Sequence, residues 1–137
     1  MNKMVSYQLM TLGLSSLSFG LLFGFYSLVT YHMLMIALFT GALALLYGFM
    51  MFGLFAFPLQ MILQKTARTF SLMYLSFYGV ITFISVFLFY AINEPASISW
   101  IFQSNIYYML SIASAVIYWF WDSLILYKSV QLTGKIK

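Results

Sequence analysis

Few side chains in this sequence could carry acid–base or metal chemistry. Asp122 and Glu94 are its only acidic residues, His32 is its only histidine, and it has no cysteine. A serine nucleophile needs an adjacent base, and the sequence offers no second histidine, no lysine inside a predicted span and no buried carboxylate nearby to activate one. The residues therefore predict a protein that is not an enzyme and holds no cofactor.

Asp122 is the acid that lies closest to a membrane-spanning stretch. A carboxylate at the centre of a span costs at least about 2.5 kcal/mol, so an acid there is a candidate for a proton relay or a cation pathway. Asp122 directly follows Trp121, however, and tryptophans concentrate at membrane interfaces. The sequence therefore favours an interfacial Asp122 that is accessible to water and within reach of Lys128, Lys65 or Arg68. A transport role for Asp122 is the alternative.

Two further ionisable residues, Glu94 and His32, fall in predicted outer turns. Glu94 has no second acid near it in the sequence, so a solvated carboxylate is expected. His32 is followed by Met33 and Met35, and soft thioether ligands suit Cu(I). Metal sites usually need three or four ligands, whereas methionine mostly fills apolar space. No metal site is predicted, and a copper or zinc site at these turns is a remote alternative.

Asn105 is the remaining polar candidate, and it lies near the outer end of the predicted fourth span with Gln103. Amide side chains in membrane proteins can form hydrogen bonds between helices, typically worth about 0.6 kcal/mol each. A structural role is therefore expected for Asn105.

The composition requires a membrane protein. The chain is 64% hydrophobic and 6% charged, against about 25% charged residues in soluble proteins. No charged residue lies between Lys3 and Lys65, and one helix of that length would measure about 90 Å, about three times the hydrocarbon thickness. The chain must fold back, and its runs of consecutive apolar residues indicate helices rather than alternating barrel strands.

The positions of the basic residues predict the topology. The sequence predicts an all-α four-transmembrane-helix bundle in a single domain, with spans at about residues 9–29, 34–57, 70–92 and 100–122. The second span is expected to end at Pro58, followed by a loop at residues 59–69. All six basic residues then fall on one side, at Lys3, Lys65, Arg68, Lys128, Lys135 and Lys137. Because cytoplasmic loops carry an excess of Lys and Arg, both termini and the central loop are predicted to be cytoplasmic.

Small residues recur at helical spacing and predict close helix packing. Helices in lipid gain little by burying leucine, so contacts at small residues become important. The candidates are Ser16, Gly20 and Gly24 in span one and Gly41 and Gly48 in span two. Packing within the bundle is the leading interpretation, and a self-association contact is the alternative.

The arrangement of several segments resembles that of small, uncharacterised four-span membrane proteins of endospore-forming Gram-positive bacteria. The resemblance is carried by Lys3, the turn at Tyr31-His32, the segment from Phe57 to Gln60, the basic loop and the segment from Trp119 to Asp122. It implies a bacterial plasma membrane location and no particular reaction. Small multidrug exporters also have four spans, but they depend on a glutamate in the first span, and here the first three predicted spans contain no acid.

Two functional hypotheses remain open. The leading one is a non-enzymatic accessory, immunity or regulatory subunit that acts through helix contacts, because small-residue faces are plentiful and ionisable groups are scarce. The alternative is a small transporter or oligomeric pore that uses Asp122. The expected partners are the lipid bilayer and another membrane protein or a second copy of the chain. Nucleic acid is not expected, because the basic residues are dispersed over three segments.

Overall fold

The computed structural model of the chain describes residues 3–63 and 70–132, and this part contains four helices long and apolar enough to cross a membrane. We call them spans one to four: Val5–Tyr31, Leu34–Ile62, Leu72–Asn93 and Asn105–Lys128. The shortest has 22 residues, which at about 1.5 Å per residue matches a hydrocarbon layer of about 30 Å. The predicted all-α protein with four transmembrane helices is confirmed.

The side of the membrane on which the termini lie stays a prediction. Four of the six basic residues that suggested it lie outside the described residues, namely Lys65, Arg68, Lys135 and Lys137.

The described residues form six α-helices and two short non-α segments. In chain order they are α1 Lys3–Tyr31, α2 Leu34–Met51, a π turn Phe52–Ala56, α3 Phe57–Leu63, α4 Leu72–Asn93, a 3-10 turn Pro95–Ser97, α5 Ile98–Ile101 and α6 Asn105–Leu132. Span two runs through α2, the π turn and α3. The other spans each lie in one helix, because lipid offers the backbone no hydrogen-bond partner outside its own helix.

A two-residue turn joins spans one and two. His32 has a left-handed backbone with φ 53°, and its N–H donates to the carbonyl oxygen of Leu28 at 2.9 Å. A left-handed residue after the last helical one is a common way to end a helix, and histidine tolerates it better than branched residues do. Because the turn is so short, α1 and α2 are antiparallel neighbours.

Three glycines allow α1 and α2 to approach closely. A Cβ atom added to Gly20 would lie 2.9 Å from the carbonyl oxygen of Gly41 and 2.8 Å from the Cβ of Leu45. A Cβ atom on Gly24 would lie 3.2 Å from the carbonyl oxygen of Ala37. These positions face backbone rather than flexible side chains, so any larger residue must push the helices apart.

The other two predicted packing residues also lie inside the bundle. Ser16 is buried, and its hydroxyl donates to the carbonyl oxygen of Leu12 at 2.8 Å. Gly48 is buried against the ring of Phe19, whose Cδ1 would lie 3.1 Å from an added Cβ. The structure thus places the four predicted glycines between α1 and α2, and Ser16 among the buried residues of α1.

The second span extends further than predicted. Instead of ending at Pro58, the helix continues to Leu63. Proline removes one backbone hydrogen bond and crowds the carbonyl group four residues earlier. The π turn directly before it accommodates this defect, because the N–H of Phe57 bonds to the carbonyl of Phe52, five residues back.

The fourth span begins later than predicted and does not include Trp100. Trp100 is exposed in the short helix α5, and the chain turns again before α6 begins at Asn105. α6 then runs without a break past residue 122 to Leu132.

A row of four aromatic rings connects all four spans in the core. Phe19 of span one lies 6.0 Å from Phe52 of span two between ring centroids. Phe52 lies 5.1 Å from Tyr118 of span four, which lies 5.2 Å from Tyr78 of span three. Such ring pairs contribute about 0.5–1.5 kcal/mol beyond their buried area. The row also positions the hydroxyl groups of Tyr78 and Tyr118.

Candidate functional site

Asp122 lies inside the bundle with both carboxylate oxygens hydrogen-bonded. Only 6% of its surface is exposed. The Nε2 of Gln60 donates to Oδ1 at 2.6 Å, and the hydroxyl of Tyr78 donates to Oδ2 at 2.8 Å. The donors come from spans two and three, so the carboxylate of span four holds three helices together.

The expected access of Asp122 to water is therefore wrong, because the side chain is buried, whereas its position at the depth of the membrane interface stays a prediction. The expected access rested on Trp121 as an interface marker, but the indole N–H of Trp121 donates to the hydroxyl of Ser18 in span one at 2.8 Å. This tryptophan is partly buried and its indole contacts span one, so its presence next to Asp122 does not make the carboxylate open to water. Lys128, one of the expected neighbours of Asp122, is exposed.

Gln60 bridges Asp122 to a second tyrosine. Its side chain is 1% exposed, and its amide oxygen accepts a hydrogen bond from the hydroxyl of Tyr118 at 2.8 Å. Its Nε2 donates to Asp122 and lies 3.4 Å from the hydroxyl oxygen of Thr11. An amide has one donor end and one acceptor end, and this orientation matches each end to its partner.

These five residues form a continuous polar network, which we call the Asp122 cluster: Thr11, Gln60, Tyr78, Tyr118 and Asp122. Every span contributes at least one member. The members come from the first halves of spans one and three and the last halves of spans two and four, so the cluster lies toward the bundle end at which α1 begins and α6 ends. A polar network of this kind costs stability unless each member is paired.

Two tryptophans of α6 hold the cluster's helix in place. The indole N–H of Trp119 donates to the backbone carbonyl of Ser71, directly before α4, at 3.0 Å. Trp121 makes the bond to Ser18 of α1 described above. Because residues two positions apart point to opposite sides of an α-helix, Trp119 and Trp121 tie α6 to two different helices and set its rotation.

The other predicted site residues lie at the opposite end of the bundle. His32 is exposed in the turn after span one, and Glu94 is exposed in the turn after span three. Asn105 is exposed at the first position of α6. The described residues contain no group of three or more His, Cys, Asp or Glu side chains placed to hold a metal ion. None of these three residues joins the Asp122 cluster.

Sequence reasoning missed four members of the cluster. Gln60 was assigned to a loop because it follows Pro58. Tyr78 and Tyr118 are two of eleven tyrosines, and Thr11 is an ordinary polar residue near a helix start. One signal was available: Tyr118 and Asp122 are four residues apart, which places them on the same face of a helix.

The arrangement can hold or exchange a proton. Tyrosine hydroxyls both donate and accept hydrogen bonds, and a carboxyl group accepts when ionised and donates when protonated. The cluster thus contains one acid, Asp122, that can bind or release a proton. The hydroxyl of Tyr78 lies within hydrogen-bond distance of its carboxylate, and that of Tyr118 within hydrogen-bond distance of the Gln60 amide.

The fold and the cluster together define a polytopic membrane protein of four spans with a buried carboxyl group in a polar network to which all four spans contribute. The chain belongs to the uncharacterised protein family UPF0715, whose model matches residues 7–126. This agrees with the predicted resemblance to uncharacterised membrane proteins of endospore-forming bacteria, since the relatives below come from Bacillus subtilis.

The chain is similar to three proteins of Bacillus subtilis (strain 168). It is 70% identical to the UPF0715 membrane protein YoaG over 128 residues, which cover 93% of this chain and 96% of YoaG. It is 42% identical to the SPbeta prophage-derived UPF0715 membrane protein YopD, over 90% of this chain and 95% of YopD. It is 35% identical to the UPF0715 membrane protein YwlA, over 75% and 83% of the two chains. No solved structure matches the chain.

Proposed function

We propose that this protein is a small, non-enzymatic membrane transport protein in which the carboxyl group of Asp122 takes up and releases a proton. The observation that carries the proposal is the enclosure of Asp122 by hydrogen-bond donors from two other spans. An ionisable residue inside a membrane protein is expensive, and it typically marks a proton or ion pathway. The burial of Asp122 supports the transport hypothesis over the hypothesis of a carboxylate that is solvated at the interface.

The contacts of Asp122 favour a proton over a metal cation. A cation needs ligand lone pairs directed at it, whereas both carboxylate oxygens here face donors, from Gln60 and Tyr78. When the carboxylate binds a proton it gains an O–H donor. The Tyr78 hydroxyl can then turn and accept from it, because a phenol can play either role.

Infrared difference spectroscopy of the protein in lipid tests proton binding directly. Lowering the pH is expected to produce the C=O stretch of a protonated carboxyl group, and Asp122→Asn is expected to remove that band. Glu94→Gln is the matched control, because Glu94 is the only other acidic side chain and lies in an exposed turn. A pH-dependent carboxyl signal that is the same in Asp122→Asn and the wild type would contradict the proposal.

Proteoliposomes test whether this proton crosses the membrane. With a pH-sensitive dye inside and an imposed pH gradient, proton flux through Asp122→Asn is expected to fall to the level of empty liposomes. Flux through Glu94→Gln is expected to match the wild type. Equal flux through both variants would argue against a role for Asp122 in transport.

We also propose that both termini face the cytoplasm, as the positions of the basic residues predict. An even number of spans supports this proposal, because it would leave both ends of the chain on one side, and the Asp122 cluster would then lie nearer the cytoplasmic surface. Reporter domains fused to each terminus test this orientation.

A second candidate function is an accessory, immunity or regulatory subunit that acts through helix contacts. The observation that favours it is the position of α2, which packs along α1 and leaves large apolar side chains such as Leu38, Phe39 and Leu46 exposed. In-cell crosslinking followed by purification in mild detergent tests it. A stoichiometric membrane partner is expected under this hypothesis, and a chain that is recovered alone would remove it.

A further inference from the structure

From Ala44 to Gln60 the buried residues of span two recur every four positions. Ala44, Gly48, Phe52, Ala56 and Gln60 are all buried. In a regular α-helix each residue turns the chain by about 100°, so a spacing of four drifts by about 40° per step. Over these four steps the drift would reach about 160°. A continuous α-helix that buried Ala44 would therefore point Gln60 away from the core.

The π turn corrects this drift. It lies between Phe52 and Ala56, and a π turn contains one residue more than an α turn. It therefore removes about 100° of rotation and leaves about 60°, which fits within the width of one buried helix face. As a result Gln60 faces Asp122 and Tyr118.

The backbone chemistry of Pro58 explains why the π turn forms at this place. Proline has no N–H, and its ring clashes with the carbonyl group four residues earlier, which here belongs to Leu54. The five-residue hydrogen bond from Phe57 to Phe52 widens the helix at this point. Leu54 is 69% exposed, so the extra residue of the turn is presented to the outside of the bundle.

We propose that Pro58 is a positioning residue for the buried site: it maintains the π turn, and the π turn brings Gln60 to Asp122. The effect of Pro58 on helix register, meaning the rotation of α3 about its axis, is argued from the geometry of span two alone. Its effect on proton binding rests on the function proposed above. In Pro58→Ala the helix can relax to regular α geometry, which rotates Gln60 out of the cluster.

Cysteine crosslinking measures the register of α3 directly, because the chain has no cysteine of its own. Thr11→Cys with Gln60→Cys introduces a pair whose native side chains approach to 3.4 Å. A short bismaleimide is expected to crosslink this pair in the wild-type background. Adding Pro58→Ala is expected to reduce the yield to that of either single cysteine.

A second-site deletion separates a register change from general unfolding. Deleting Leu54 from the Pro58→Ala protein removes the extra residue, so a regular α-helix again presents position 60 to the core, and the crosslink is expected to return. The matched control is Leu54→Ala in the Pro58→Ala protein, which removes the side chain but keeps the residue count, and here the crosslink is expected to stay lost. An unchanged yield in Pro58→Ala, or no recovery on deletion of Leu54, would overturn the proposal.

The infrared titration of the Asp122 carboxyl, repeated without the cysteines, links register to function. Pro58→Ala is expected to shift the pH at which the carboxyl band appears, and the additional deletion of Leu54 is expected to reverse the shift. Crosslinking that follows the expected pattern without an Asp122 band would support the positioning role and contradict proton binding. An Asp122 band that is insensitive to Pro58→Ala would contradict the functional part of the positioning role.

Discussion

Gly20→Ala is expected to destabilise the protein even though alanine is the better helix former. The added methyl group would lie 2.9 Å from the carbonyl oxygen of Gly41 and 2.8 Å from the Cβ of Leu45. Neither atom can move without moving the backbone of α2, and overpacking of this kind typically costs about 1–3 kcal/mol. The gain in helix propensity, about 0.8–1.0 kcal/mol, offsets only part of this cost. Gly20→Leu is expected to separate the helices and prevent folding.

Gly13→Ala is the matched control in the same helix. Nothing lies within 4 Å of a Cβ atom built on Gly13, so only the propensity gain remains and the variant is expected to be slightly more stable. The midpoint of thermal unfolding in one detergent, followed by circular dichroism, compares the two variants. If Gly20→Ala unfolded at the same temperature as Gly13→Ala, close contact between α1 and α2 would not stabilise the fold.

Gln60→Leu is expected to destabilise the bundle and to disconnect the Asp122 cluster. Leucine has nearly the same size but cannot donate to Oδ1 of Asp122 or accept from the hydroxyl of Tyr118. An average hydrogen bond in a membrane protein is worth only about 0.6 kcal/mol. A buried polar group that loses its partner costs about 1–3 kcal/mol, and more when it is charged. Gln60→Leu leaves two such groups, Oδ1 of Asp122 and the hydroxyl of Tyr118. The free energy of unfolding is therefore expected to fall by about 3 kcal/mol.

The adjacent residue provides the control for this substitution. Met61 is 50% exposed, and Met61→Leu changes the same helix without touching the cluster. Unfolding by titration with a denaturing detergent is expected to begin earlier for Gln60→Leu than for Met61→Leu or the wild type. Equal unfolding curves for the two variants would mean that the network around Asp122 contributes no stability.

The architecture of this protein followed from its sequence because the bilayer permits few alternatives. Every backbone N–H and C=O in lipid needs a partner, and long uncharged segments of about 20 residues leave helices as the solution. The glycines were informative for a similar reason. Gly20 and Gly24 recur at helical spacing in a solvent where close packing, rather than the burial of leucine, stabilises helix pairs.

The identity of the site could not be read in the same way. Asp122 was assigned to the interface because Trp121 precedes it, and the pairing of Trp121 with Ser18 became visible only in three dimensions. Gln60 was assigned to a loop because it follows Pro58, and only the π turn carries the helix past the proline and turns Gln60 inward.

The amino-acid order alone was enough to define a four-span helical membrane protein and to name its one acid near the membrane. The rotation of each helix about its axis, and therefore which side chains contact Asp122, was decided only by the packing of the bundle. In water, the polarity of a helix face shows which side is buried, but here lipid and core are equally apolar and that guide is lost. Steric fit at glycines and a few hydrogen bonds between distant residues then select the rotation of each helix. Such contacts between pairs of residues produce no periodic pattern in the sequence.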